Sequence, residues 1–182
     1  MTDALRRRGL HGIGLTELLA AADAPKGVLY HHFPGGKTEL AVAAIAHAVD
    51  RMLSGLDTLL TRHTDPTEAL RHWVGSASAR LRDTGFAYGC PLATVALETT
   101  PEDRVLRSAL DQAFARMRER LAQALQQAGT PADRAQGLAA LIVAAYEGSL
   151  LQARVAQSTL PIELATDTLL SLLVPPPSGA RP

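Results

Sequence analysis

The sequence contains few aromatic residues and almost no cysteine. Aromatic side chains make up 4% of the 182 residues, and Cys90 is the only cysteine. A single cysteine cannot form an internal disulfide or supply a cysteine-rich zinc site, and it suits a reducing compartment. Ala and Leu are abundant, whereas alternating runs of β-branched residues do not occur. These features exclude a disulfide scaffold and predict an all-helical protein.

Long apolar stretches are also missing from the sequence. No uninterrupted apolar run approaches the roughly 18 residues that a membrane-spanning helix requires, and no basic and then apolar leader opens the chain. We therefore expect no membrane partner and a cytoplasmic location. The formal net charge is zero. Any contact with nucleic acid must therefore come from a local basic surface, because the bulk charge provides no attraction.

Proline-containing start signals divide the chain into helices. A capping side-chain oxygen, a proline and an acid follow one another at residues 65–68, 100–103 and 130–133, and this combination favours a helix N-terminus. Leu160-Pro161-Ile162-Glu163 lacks the capping oxygen and predicts a weaker start. Apolar residues recur at helical spacing between these signals. The longest predicted helix, from about Thr38 to His63, could join two parts of the protein.

Lysine is scarce, and its two occurrences lie close together. The chain has 16 arginines, but its only lysines, Lys26 and Lys37, both lie in the segment PKGVLYHHFPGGK. Residues 16–22 predict a two-turn helix, residues 23–25 a turn, and residues 26–33 a second short helix. This is the spacing of a helix-turn-helix motif, in which the second helix enters the major groove of DNA. Both lysines are therefore predicted to face DNA.

The residue types in this segment suit contacts with DNA. Lys26 can donate to guanine O6 or N7, and Gly27 lets the backbone approach closely. The side chains that can donate to phosphates are Tyr30, His31 and His32 in the second helix and Lys37 at the start of the long helix. Adjacent histidines point in different directions along a helix, so we do not expect them to bind a metal. A helical hairpin without a DNA role is the structural alternative, since residues 1–40 carry a net charge of only +1.

The stretch from Gly14 to Ala46 resembles the DNA-binding domain of the tetracycline-repressor (TetR) family of bacterial transcription regulators. The pattern KGxLYxHF, followed by a lysine that opens a long helix, carries this resemblance. The sequences PGGK and, at residues 89–93, GCPLA are similar to the LmrA/YxaF-type subgroup. The resemblance implies that Lys26 and Gly27 contact bases, that Thr16 caps the first helix of the motif, and that the other residues named above hold phosphates.

Two features of this stretch depart from the family pattern. Three residues, Pro34-Gly35-Gly36, separate Phe33 from Lys37, whereas many members have two, and this leaves the position of Lys37 open. Members also begin with a full helix across the motif, but here only Thr2 to Arg8 precede the Gly9 turn. We therefore expect a truncated first helix. Either the true start lies upstream, or the chain has lost part of this core.

The resemblance implies the organisation of the rest of the chain. Residues 1–46 would form the DNA-binding domain and residues 47–174 a ligand-binding and dimerisation domain. The composition of residues 175–182, PPPSGARP, predicts a disordered tail. The family places an inducer site in the second domain. The candidate ligand-binding residues are Trp73, Phe86, Tyr88, Cys90, Phe114, Met117 and Tyr146. A mostly apolar lining is the usual form of a ligand pocket. Each of these residues could instead fill the core.

The last two predicted helices, Asp133 to Gln157 and Ile162 to Leu173, resemble the four-helix dimer interface of this family. The predicted contact face consists of Leu138, Leu141, Ile142, Ala145, Ser149, Gln152 and Ala156. A homodimer would place two recognition helices on one face of the DNA, and it would therefore read a palindromic operator.

The predicted function is that of a ligand-responsive transcriptional regulator, a repressor that a small hydrophobic molecule releases from its operator. No catalytic arrangement or phosphate-binding glycine loop occurs in the sequence, so we expect neither an enzyme nor a cofactor. The alternative is a ligand-binding or partner-binding helical protein that has lost efficient DNA binding. Cys90 would be a redox switch if the helix beginning at Pro91 lowered the pKa of its thiol, and otherwise a small buried apolar residue.

Overall fold

The computed structural model describes residues 1–173, which fold into nine α-helices without a strand. This confirms the predicted all-helical class. The helices are α1 (Thr2–Arg8), α2 (Leu15–Ala21), α3 (Lys26–His32), α4 (Gly36–Arg62), α5 (Pro66–Asp83), α6 (Pro91–Ala96), α7 (Arg104–Gln127), α8 (Ala132–Ala156) and α9 (Leu160–Leu173). The predicted disordered tail, residues 175–182, lies outside the described residues.

A predicted helix N-cap is confirmed where its side chain accepts a hydrogen bond from a free backbone N–H group. The N-cap of α5 is Asp65, whose carboxylate accepts from the Thr67 N–H at 2.8 Å and from the Thr67 hydroxyl at 2.7 Å. These two bonds lower the pKa of the Asp65 carboxyl. The predicted start at Leu160 is also confirmed, since α9 begins there.

Two predicted helix caps are wrong. Thr100 does not cap α7; its N–H and hydroxyl both donate to Asp103 Oδ2, at 2.8 and 3.0 Å, and close a turn before the helix begins at Arg104. Thr130 does not cap α8 either, because the N-cap is Pro131 and no side chain bonds to it. Pro101 lies inside the turn that precedes α7, and Pro131 is the N-cap residue of α8, so neither proline is the first residue of its helix.

The 27-residue helix α4 joins the two ends of the molecule. At about 1.5 Å per residue it is about 40 Å long. It packs on α1, α5, α6 and α7. Ion pairs at its surface, Arg116 with Asp50 at 2.7 Å and Arg120 with Asp57 at 2.6 Å, connect it to α7.

The main core lies among α4, α5, α7, α8 and α9. The large side chains buried there to below 2% exposure include Ile45, Leu56, Met117, Leu121 and Ile142. Each such side chain contributes about 1.5–3 kcal/mol of hydrophobic free energy relative to full exposure. α7 and α8 pack along one another, and α9 covers α8.

α8 is the most apolar of the long helices in residues 1–173. By length and composition alone it could cross a membrane, since the mean hydropathy of its most apolar 18 residues is 1.3. Core helices of water-exposed proteins commonly meet the same criterion. Here α8 packs against α7 on one side and α9 on another.

Candidate functional site

α2 and α3 form a helix-turn-helix with a small core of its own. Leu18 from α2 and Leu29 from α3 are buried between the helices. In the turn, Asp23 adopts a left-handed φ of 47°, and the Ala24 N–H donates to the Leu19 carbonyl at 3.0 Å. This local arrangement matches the one that the sequence predicts.

α3 presents most of the predicted DNA-contacting residues to solvent. The exposed residues of this set are Lys26, Gly27, Tyr30, His31 and His32. Lys26 is the first residue of the helix, and a Cβ atom built on Gly27 would meet nothing within 4 Å. The backbone of this first turn is therefore open to close approach by a partner such as DNA.

Lys37 lies in the first turn of α4 in spite of the longer spacing before it. The extra residue is absorbed because α4 begins at Gly36, which adopts a left-handed φ of 65°. The N–H of the preceding Gly35 donates to Glu39 Oε2 at 2.7 Å. Lys37 is thus the second residue of α4, at a helix N-terminus, where a phosphate is favoured.

One predicted role in the helix-turn-helix is wrong, and one exposed residue was missed. Thr16 is exposed but does not cap α2, because the helix begins at Leu15 and extended Gly14 occupies the N-cap position without a side-chain bond. Val28 of α3 is 45% exposed. An apolar side chain on this surface can contact a thymine methyl group. The sequence signal for Val28 was its place next to Leu29, because neighbouring residues of a helix face different directions and Leu29 is the buried one.

α1 is fastened to the helix-turn-helix by an ion pair. The guanidinium of Arg8 donates to both carboxylate oxygens of Glu17 in α2. These hydrogen bonds lower the pKa of the Glu17 carboxyl. α1 itself spans only seven residues.

Two carbonyl groups of α1 accept hydrogen bonds from Gly89, just before α6, and from Arg154 of α8. The Gly89 N–H donates to the Arg6 carbonyl at 3.0 Å, and Arg154 Nη2 donates to the Arg7 carbonyl at 3.0 Å. The Arg7 guanidinium also lies 5.1 Å from the centre of the Tyr88 ring, within range for a cation–π contact. The orphan carbonyls at the end of α1 thereby join this helix to α8 and to the segment before α6.

Glu98, which follows α6, makes a second connection to the helix-turn-helix side of the molecule. Its Oε2 accepts from the Leu10 N–H at 2.5 Å and from the His11 N–H at 3.3 Å. Both donors lie in the turn between α1 and α2. A shift of α6 would therefore pull on the backbone that supports α2.

A cavity of about 750 Å³ lies between α1, α4, α5 and α8. This volume is in the range of small-molecule sites. Trp73 of α5 stacks on Tyr146 of α8 along its wall, with the ring centres 4.8 Å apart and the planes at 25°. The Trp73 indole N–H donates to the Met52 carbonyl at 3.0 Å. The basic side chains at this cavity are Arg6, His47, Arg51 and Arg80.

The seven predicted ligand-binding residues do not share one site in the structure. Trp73 and Tyr146 line the cavity. A narrow pocket of about 30 Å³ shares Arg6, Arg80 and Tyr146 with it and is also lined by Tyr88 and Cys90.

The other three predicted residues lie elsewhere. Phe86 lines an open cleft beside α1 and α2. Tyr88, which also lines the narrow pocket, lines this cleft too. Met117 is fully buried in the core, and Phe114 packs against that core. The basic residues of the cavity were not predicted, because no helical pattern indicates that α1, α4 and α5 line a common cavity.

Cys90 lies beside a buried carboxyl group. Its Sγ donates to Glu147 Oε1 at 3.1 Å, while Glu147 Oε2 is enclosed and has no hydrogen-bond partner among residues 1–173. Burial raises the pKa of the Cys90 thiol well above its ordinary value. Burial also raises the pKa of the Glu147 carboxyl to about 7. The condition for a reactive cysteine, a lowered thiol pKa near Pro91, is therefore not met.

The exposed apolar side chains of α8 and α9 form a separate surface. Its large members are Leu141, Leu151, Val155, Leu160, Leu164 and Leu172, each at least 44% exposed. The predicted contact face was partly wrong: Ile142 is 1% exposed, and Ser149 is buried with its hydroxyl donating to the Tyr146 carbonyl at 3.1 Å. Both residues point into the subunit, so the outward face of α8 is rotated from the predicted one.

Comparison with known proteins identifies one family, both by a family match and by individual relatives. The family described as the C-terminal domain of LmrA/YxaF-like transcriptional regulators matches residues 66–168, which is more than half of the chain. An HTH-type transcriptional regulator of Mycobacterium tuberculosis is 32% identical over 177 residues, covering 93% of this chain and 88% of that protein. The HTH-type transcriptional regulator LmrA of Bacillus subtilis is 29% identical over 161 residues, covering 88% and 86%.

The fold has a close counterpart among solved structures. The crystal structure of the regulatory protein TetR from Rhodobacter sphaeroides superposes with a TM-score of 0.83 at 26% identity, covering 93% of both chains. These findings confirm the predicted family, its LmrA/YxaF-type subgroup, and the fold in which a long helix joins a helix-turn-helix domain to a helical ligand-binding domain. The chain therefore belongs to the TetR family of transcriptional regulators and is a DNA-binding transcriptional regulator.

Proposed function

We propose that this chain acts as a homodimeric repressor that leaves a palindromic operator when a small molecule binds its cavity. The single observation that carries the proposal is that one short helix, α1, both lines the cavity and is paired with the helix-turn-helix. Arg6 of α1 lines the cavity, and Arg8 of the same helix pairs with Glu17 of the helix-turn-helix. A ligand can act on DNA binding only through different affinities for two conformations.

The proposed DNA contacts are those of α3 and the start of α4. Lys26 and Gly27 would contact bases; Tyr30, His31, His32 and Lys37 would hold phosphates. The exposure of the α3 residues and the first-turn position of Lys37 support these roles. Thr16 would act as an exposed residue of the first turn of α2 and not as its cap.

The proposed dimer uses the apolar surface of α8 and α9. Its six large exposed side chains support this proposal, because a monomer seldom leaves so many apolar side chains exposed together. A two-fold axis through this surface would bring two copies of α3 to one face of the DNA. The apolar character of α8 is then explained by contact with a partner subunit and not with a membrane.

We further propose domain limits at residues 1–46 and 47–174, with the boundary inside α4. The relatives are transcriptional regulators, which supports a cytoplasmic location and a role other than catalysis. Within the ligand-binding domain, the residues of the proposed site are Trp73 and Tyr146, with Tyr88 and Cys90 at the adjoining narrow pocket. Phe86, Phe114 and Met117 would support the site from outside the cavity.

The function is tested by a salt titration of binding to duplex DNA from upstream of the gene, compared with random duplex. Lys26→Ala should weaken binding to the specific duplex by about 1–3 kcal/mol, because a base contact is lost. Lys37→Ala should weaken binding to both duplexes and reduce the salt dependence by about one counterion. Arg82→Ala, an exposed arginine on α5, is the matched control and should change neither.

The opposite result separates the two candidate functions. If the unaltered chain prefers the upstream DNA and Lys26→Ala binds it as tightly, the assigned base contact is wrong. If the unaltered chain shows no preference at all, the ligand-binding or partner-binding alternative replaces the repressor.

A further inference from the structure

We infer that the cavity between α1, α4, α5 and α8 binds an organic anion with an aromatic or apolar body, such as an aryl-substituted carboxylate. This inference deepens the proposed function, on which its regulatory meaning rests, and it differs from the expectation of a purely hydrophobic inducer. The reason is that basic side chains and a stacked aromatic pair line the same cavity.

The cavity has an excess of positive charge. Arg6, Arg51 and Arg80 line it, while Asp3 is the only acidic residue of the described lining. Asp3 lies 3.9 Å from Arg6, at the limit of an ion pair. Within residues 1–173 neither Arg51 nor Arg80 forms an ion pair or a side-chain hydrogen bond. The three guanidinium groups therefore hold donors that the protein itself does not use.

The partial burial of Arg6, which is less exposed than Arg51 and Arg80, favours a ligand of opposite charge. The Arg6 side chain is only 16% exposed. A neutral ligand that filled the cavity would remove the remaining water from this cation without replacing its hydrogen bonds, which is costly. A carboxylate supplies those bonds, and planar guanidinium groups match its geometry. The charge of the lining thus favours an anion over a neutral or cationic ligand.

The aromatic pair in the lining of the cavity suits the body of such a ligand. The Trp73 indole N–H is already bonded to the Met52 carbonyl, so the remaining surface of this ring is apolar. The Tyr146 hydroxyl has no hydrogen-bond partner in the part of the chain that the structure describes. Burial raises the pKa of Tyr146 well above its ordinary value. Its hydroxyl therefore stays protonated and can donate to an anion.

The position of Arg6 gives the anion a direct connection to the DNA-binding side. Arg6 belongs to α1, and its carbonyl accepts the Gly89 N–H at 3.0 Å. A bound anion would draw the Arg6 side chain towards Arg51 and Arg80. It would thereby act on α1, the helix whose Arg8 forms the ion pair with Glu17. Binding would thereby be coupled to the orientation of the helix-turn-helix.

The experiment titrates the protein, without DNA, with phenylbutyrate, its neutral amide phenylbutyramide, and acetate. Trp73 is the only tryptophan and reports binding by its fluorescence. Phenylbutyrate should bind at least about tenfold more tightly than the amide, as expected for a charge-assisted hydrogen bond. Acetate should bind far more weakly, because it lacks the apolar body. The Arg51→Gln/Arg80→Gln double variant should lose the preference for the carboxylate and keep the affinity for the amide.

Two variants control for unspecific effects. Arg82→Gln removes an exposed α5 arginine that does not line the cavity and should leave the preference intact. Arg80→Lys keeps the charge and should retain most of it. The inference is overturned if the amide binds as tightly as the carboxylate, if neither binds, if acetate binds equally well, or if the preference survives the double variant.

The readout also separates this inference from the proposed function. A chain that binds operator DNA but shows no preference for the carboxylate keeps its function and loses the assigned ligand class. A chain that prefers the carboxylate but does not recognise operator DNA keeps the anion site and loses the repressor function.

Discussion

Replacing Glu147 by glutamine should change the stability of the protein at neutral and alkaline pH but not in acid. The Glu147 carboxyl is enclosed, accepts a hydrogen bond only from the Cys90 thiol, and leaves Oε2 without a partner among the described residues. Burial therefore favours its neutral form and raises its pKa from the ordinary 4.5 to about 7. Glutamine has the shape of that neutral form and does not ionise.

The magnitude follows from the difference between the two pKa values. Below pH 4.5 the carboxyl is protonated in both the folded and the unfolded protein, so its neutral form is fully compatible with the fold. Between pH 4.5 and about 7 the unfolded chain releases the proton while the folded one retains it, and stability falls. At about 1.4 kcal/mol per pKa unit, the loss reaches about 3 kcal/mol above pH 7.

Urea unfolding of both proteins across this pH range, at one fixed protomer concentration, measures the effect. The Glu147→Gln variant should equal the unaltered protein near pH 4 and exceed its stability by about 3 kcal/mol at pH 8. Glu119→Gln, at an exposed position of α7, should show no such pH-dependent difference. A Glu147→Gln effect that is the same at all pH values, or a destabilisation at pH 8, would refute the argument.

Three further changes probe other parts of the structure. Asp23→Gly should raise stability by up to about 1 kcal/mol, because glycine adopts the left-handed φ of 47° without strain; an unchanged urea midpoint would contradict this. Glu98→Ala should cost about 1–2 kcal/mol in thermal unfolding by leaving the Leu10 and His11 N–H groups without their acceptor, and undiminished stability would show that the carboxylate does not hold this turn. Val155→Glu places a charge on the proposed dimer surface, where the side chain is 79% exposed; light scattering should give the mass of a dimer for the unaltered protein and of a monomer for the variant, and a variant that stays dimeric would place the interface elsewhere.

The sequence by itself determined the helical class and the helix-turn-helix. Helical spacing of apolar residues is a local property, and the segment KGVLYHHF specifies a short helix whose Leu29 turns inward while Lys26 and Tyr30 stay exposed. The cap at Asp65 could also be read directly, because donor and acceptor are two residues apart. Features of this kind depend on neighbours in the chain and not on the packing of distant helices.

Precise helix starts were less predictable than the helices themselves. Several polar residues near a proline can take the capping role, and the backbone conformation selects among them. The N-cap position of α7 is Asp103 and not Thr100, that of α2 is Gly14 and not Thr16, and in neither helix does the N-cap side chain bond to the free N–H groups. The competing local hydrogen bonds have similar free energies, so residue type alone does not decide the outcome.

Only the tertiary structure decided which side chains form the cavity and which face of α8 points outward. Arg6, Arg51 and Arg80 come from three different helices, and nothing in their sequence spacing relates them. The rotation of α8 is fixed by its packing on both α7 and α9, which buries Ile142 and exposes Val155. A helix with small and apolar residues on every side can pack in several rotations. The choice among them depends on the total area that neighbouring helices bury, which is a property of the whole fold.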